Sequence, residues 1–90
     1  SKLKSKGKIP EHVDHGLSYM FSHRIHIPLI TNEGVIFSIG KNKYNLKENS
    51  VYEVNNTRRH SVINSTDNFE RVHLILDYIT EDYLNYYEII

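Results

Sequence analysis

Ser22-His23-Arg24-Ile25-His26-Ile27-Pro28-Leu29-Ile30, then Thr31-Asn32-Glu33-Gly34, then Val35-Ile36-Phe37-Ser38-Ile39, is the stretch that decides the fold. In its first nine residues Arg24 and His26 fall on one side and Ile25, Ile27 and Leu29 on the other, the period of two that belongs to a strand. Four turn-forming residues follow, and the next apolar run is again short and rich in β-formers. Outward from there the grammar repeats. Gly40-Lys41-Asn42-Lys43 turns the chain back towards a strand over residues 44–46, and Lys47-Glu48-Asn49-Ser50 is a further turn with Asn49 suited to the left-handed position. Residues 51–54 read as a strand, Asn55-Asn56-Thr57 as a polar link, and residues 60–64 and 71–78 as the last two strands around a loop at 65–70. Upstream, Lys2, Lys4, Lys6 and Lys8 alternate as on a solvated edge strand. Only the tail looks helical: Thr80 can cap a short helix with Glu81 and Asp82 in its first turn, and Tyr83, Tyr86 and Tyr87 form a packing stripe. The chain is therefore expected to be all-β, as a sandwich, barrel or jelly roll, with a short C-terminal helix.

Ninety residues allow a single domain, residues 1–90, with one modest core. Eleven basic residues balance eleven acidic ones, which argues against a general nucleic-acid binder. With no cysteine, disulfides, thiolate metal sites and cysteine nucleophiles are excluded. No apolar run approaches the ~20 residues that span a bilayer and nothing resembles a signal peptide, so no membrane partner and a cytoplasmic location are expected.

Six histidines stand in the chain, and their placement carries more information than their number. His12-Val13-Asp14 sets an imidazole and a carboxylate two apart; on an extended segment both face the same side, about 6.5 Å apart. His60 opens a later strand. Two histidines and a carboxylate on one side of an ion, with the other positions open, make the facial triad of non-haem iron oxygenases. Taken alone, His-x-Asp is common; His12 could equally sit in a loop and Asp14 form a turn before Gly16. Arg71, at the head of an apolar strand, and Arg24 with His26 alter that balance. If one set of side chains points inside an antiparallel barrel, these three cationic groups would stand beside the metal and form a pocket for a small dianion. His15, His23 and His73 are not read as ligands; His73 shares a face with Arg71.

The stretches His12-Val13-Asp14, Arg24-Ile25-His26-Ile27-Pro28-Leu29-Ile30-Thr31-Asn32, Asn55-Asn56-Thr57-Arg58-Arg59-His60-Ser61-Val62 and Arg71-Val72-His73-Leu74-Ile75-Leu76-Asp77 resemble the aspartyl/asparaginyl β-hydroxylase family in order and spacing. The resemblance implies a double-stranded β-helix, a cupin-like jelly roll, here expected as a core without the family's N-terminal elements. It implies an Fe(II)- and 2-oxoglutarate-dependent dioxygenase with His12, Asp14 and His60 as metal ligands and catalytic centre. Some members replace the carboxylate with a residue that cannot bind metal, whereas here Asp14 is present. Arg71 matches the arginine that pairs with the distal carboxylate of 2-oxoglutarate, and Arg24 and His26 match cosubstrate-pocket positions. The implied partners are 2-oxoglutarate, dioxygen and a peptidyl aspartate or asparagine. Alternatives are a free amino acid of the proline type as substrate, or a non-catalytic cupin-like module that binds a metal or small ligand. Without an outer layer such a core leaves apolar strand faces uncovered, so a homo-oligomer is expected.

Overall fold

The structure, a computed structural model, describes residues 1–14, 22–55 and 57–79. Among these residues eight strands follow in chain order: β1 (Lys2–Leu3), β2 (Lys8–His12), β3 (Ser22–Ile30), β4 (Val35–Ile39), β5 (Asn42–Tyr44), β6 (Tyr52–Val54), β7 (His60–Asn64) and β8 (Arg71–Ile79). Among the described residues there is no helix, and the helix expected from Thr80 onwards lies outside them. No helix of the described residues is long and apolar enough to cross a membrane.

The strands form two four-stranded antiparallel sheets, ordered β1-β8-β3-β6 and β2-β7-β4-β5. β1 pairs with β8, β2 with β7, β3 with β6 and β4 with β5, as in one long hairpin folded back on itself. The lysine-rich start therefore does not run as one edge strand. A turn at Lys6, whose φ is 60°, closes with the Gly7 N–H on the Lys4 carbonyl and carries the chain from an edge of one sheet to an edge of the other.

Two boundaries differ from the sequence reading. β5 begins at Asn42, so Asn42 and Lys43 belong to the strand and not to the turn. Gly40 takes φ 57° and a two-residue loop suffices to close the hairpin, setting Ile39 opposite Asn42. Leu46, expected in that strand, lies beyond it and is buried in the core all the same. A side chain on Gly40 would also meet the Arg58 guanidinium at 2.6 Å, and the Gly40 N–H donates to the Arg59 carbonyl at 2.8 Å. That close approach lays the 57–60 link against the hairpin and fixes where β7, and with it His60, begins. The second difference is small: β6 starts at Tyr52, one residue later than expected.

Leu3, Val35, Phe37, Leu46, Val54 and Val62 form the core, with Ile9, Ile39 and Tyr52 packed against it. Complete burial of such side chains contributes roughly 1.5–3 kcal/mol each. The inward face of β3 and β8 is different: His26, Arg71 and His73 are buried there, while the apolar set points out, Leu29, Leu74 and Leu76 each remaining more than 40% exposed. A sheet that buries its polar side and exposes its apolar side is shaped by a site rather than by the core. Asn64, fully buried, anchors the far end. Its amide donates to the carbonyls of Leu3 and Phe69 and its oxygen accepts from Thr66, which ties β1 and the 65–70 loop to β7.

Candidate metal centre

His12 ends β2 and His60 opens β7, and the two are direct partners in the ladder, with ring centroids 4.3 Å apart. A register shift between Ile9 and His12 accompanies this pairing. Asp14 follows two residues on, its carboxylate 3.4 Å from the Nε2 of His12 and 3.7 Å from the Nε2 of His60. One ligand atom from each of the three lies within 4.8 Å of the others.

The backbone sets the tautomers. The Nδ1 of His12 lies 2.7 Å from the Pro10 carbonyl, and that of His60 lies 2.8 Å from the Arg58 carbonyl. A carbonyl only accepts, so each neutral ring carries its proton on Nδ1 and leaves Nε2 as a bare lone pair. Three lone-pair atoms thus converge where only a cation or a proton relieves their repulsion. Donors about 2.1 Å from one ion and at right angles to one another stand about 3 Å apart, so the 3.4 and 3.7 Å contacts require only a small contraction. The donor set of two imidazoles and one carboxylate suits iron, and the Nδ1–H bonds to backbone are the outer support such ligands use. Phe37 lies parallel to the His60 ring, 6.1 Å between centroids, and limits its rotation.

Beside the cluster is a cavity of about 180 Å³, lined by His12 and His60 at one side and by Arg24, His26 and Arg71 among others. Arg71 is 1% exposed; one Nη donates to the Ser1 hydroxyl at 3.1 Å, and its enclosed Nε has no partner among the described residues. A buried guanidinium on the wall of a cavity carries a charge that an anionic ligand there would offset. Arg24, expected at the same pocket, lines it but grips Asp77 with two parallel bonds, of 2.9 Å from Nε and 3.1 Å from Nη2. Its Nη1 also reaches Asp14 at 3.4 Å. The hydrogen bond to Arg24 holds the Asp77 carboxyl below its ordinary pKa. Sequence reasoning passed over Asp77, since nothing local marks a partner 53 residues from Arg24. His23 is exposed and pairs with Glu53. His15 lies outside the described residues.

His73 also turns inward, and its Nδ1 lies 3.1 Å from the Nδ1 of His26. Burial, then the charge of Arg71, lowers the His26 pKa from 6.5 to about 4 and that of His73 from 6.5 to about 3. Both rings are neutral in the folded protein at ordinary pH and take up protons more readily once unfolded. From pH 6.5 down to 3–4 the unfolded chain therefore binds more protons, and stability present above pH 6.5 is lost as the pH falls through that window. Each histidine contributes a slope of up to about 1.4 kcal/mol per pH unit. Urea unfolding followed at half-unit steps from pH 7.5 to 4 should show a falling midpoint below pH 6.5. A midpoint that does not move across that range would contradict the burial of the pair.

A family model described as aspartyl/asparaginyl beta-hydroxylase matches residues 1–81 of the chain. No curated protein matches it.

Proposed function

The chain belongs to the aspartyl/asparaginyl β-hydroxylase family, and from that premise we propose that it is an Fe(II)- and 2-oxoglutarate-dependent dioxygenase hydroxylating a peptidyl aspartate or asparagine side chain. The observation that carries this reading is the convergence of two imidazole Nε2 atoms and a carboxylate beside a cavity lined by a buried arginine. The strand orders β1-β8-β3-β6 and β2-β7-β4-β5 support a jelly roll, the double-stranded β-helix of such enzymes.

In this reading His12, Asp14 and His60 would hold the metal. Bound iron with 2-oxoglutarate would supply the oxidising power, through oxidative decarboxylation of the cosubstrate, to hydroxylate an unactivated carbon. The residues of the chain bind and orient. The Arg71 guanidinium holds the distal carboxylate at the wall of a partly dry cavity, where a charge-assisted bond is stronger than at a surface. Arg24 steadies Asp14 from one side while Asp77 steadies Arg24. Ile9, Phe37, Val54, Val62 and Ile75 line the apolar part of the wall and exclude water.

The test is turnover. With Fe(II), 2-oxoglutarate and oxygen, a library of aspartate- and asparagine-containing peptides should stimulate succinate formation and gain one oxygen atom by mass. Metal and 2-oxoglutarate binding with no succinate formed across that library, or with free amino acids, would reject the enzyme reading in favour of a binding module.

A further inference from the structure

His26 and His73 meet Nδ1 to Nδ1 at 3.1 Å, with ring planes 85° apart. One hydrogen bond needs one donor and one acceptor, and two neutral imidazoles supply them only if their tautomers differ. One ring carries its proton on Nδ1, and the other on Nε2. Their surroundings decide which. The Nε2 of His73 is sealed in the interior with no partner among the described residues, whereas His26 lines the cavity beside the metal cluster. The charge of Arg71 acts on both rings, so it does not choose between them. A buried N–H without an acceptor is rarer and more costly than a buried lone pair without a donor. His73 therefore keeps its proton on Nδ1 and donates it to His26.

We propose that His73 is a positioning residue that fixes the tautomer of His26, so that His26 presents Nε2–H to the cavity as an uncharged donor to a carboxylate ligand. For the identity of that ligand the inference rests on the 2-oxoglutarate reading; for the tautomer it does not. The arrangement has an electrostatic purpose. Arg71 already brings a buried positive charge to the cavity, and a second charge on His26 would be desolvated beside it. A neutral N–H adds direction without adding charge. Phe37, packed edge-on against His26 at 5.4 Å, holds the ring in place.

The experiment is a long-range proton–nitrogen correlation spectrum of the full chain labelled at histidine nitrogens, recorded at neutral pH without metal or cosubstrate. The expected pattern is a protonated Nε2 and bare Nδ1 on His26, and the reverse on His73. In His73→Phe the single tautomer of His26 should give way to two in exchange, and 2-oxoglutarate affinity by calorimetry with bound Mn(II) should fall about tenfold, while Mn(II) affinity stays unchanged. His73→Asn, whose amide N–H stands near the original Nδ1, should restore both the tautomer and most of the affinity. A wild-type His26 protonated on Nδ1 overturns the inference, as does a His73→Phe protein with tautomer and affinity unaltered. If the wild type does not bind 2-oxoglutarate, the cosubstrate reading falls, and the tautomer measured on the same sample still decides the role of His73.

Discussion

His60→Ala is expected to lose Fe(II) affinity by well over about 100-fold, since even changes one step removed from a metal ligand cost 10–100-fold. The reason lies in how few donors the cluster has. Among the described residues His12, Asp14 and His60 are the three whose ligand atoms converge, and His12 has a side chain 42% exposed, the least enclosed of them. Without His60 the remaining pair comes from one short segment at the end of β2, and two ligands from one segment seldom retain a labile divalent ion. The replacement also removes the bond to the Arg58 carbonyl and the ring against Phe37. Some loss of stability, on the order of 1–3 kcal/mol, is therefore expected as well. Anaerobic calorimetry with Fe(II), with circular dichroism to verify the fold, measures the two effects separately. His60→Ala binding iron like the parent would remove His60 from the metal centre.

Local patterns made much of this molecule legible. Period two put Arg24 and His26 on one face, and turn residues marked most strand ends. Alternation could not say which face of β3 turns inward, because hydrophobicity alone would bury Ile25, Ile27 and Leu29 rather than Arg24 and His26. Only the suspicion of an anion pocket argued for the opposite arrangement, and His26, with the β8 residues Arg71 and His73, is indeed buried. What the sequence hid is long-range. The register that sets His12 against His60, the grip of Arg24 on Asp77 and the pairing of His26 with His73 all join residues 47 or more apart in the chain. No local spacing encodes such partners. The hairpin at Gly40 departs from the sequence pattern for another reason: two residues close it once glycine accepts a positive φ, where the run of turn formers predicts four.

Arg71→Leu is expected to weaken 2-oxoglutarate binding by roughly 10²–10⁴-fold, the loss of one or two charge-assisted hydrogen bonds at about 1.5–3 kcal/mol each. Iron affinity should scarcely change, because Arg71 touches none of the three converging ligands among its described contacts. Stability gives an independent readout. Arg71 is 1% exposed and burial lowers its pKa, so the folded protein holds a costly cation that only a ligand fully rewards. Arg71→Met, an apolar side chain nearer in length than leucine, should leave the ligand-free protein as stable as the parent or more so. The histidines report the same change. Arg71 is the second-largest cause of the lowered pKa in both His26 and His73. Without it both should rise towards 6.5, narrowing the window over which acid destabilises the fold. Arg71→Lys should restore the charge yet only part of the affinity, since an ammonium lacks the planar fork that meets a carboxylate with two parallel bonds. An Arg71→Leu protein that binds 2-oxoglutarate as tightly as the parent would remove Arg71 from the cosubstrate site. A variant with weakened binding, intact iron affinity and undiminished stability would identify Arg71 as a residue kept for its ligand and not for the fold.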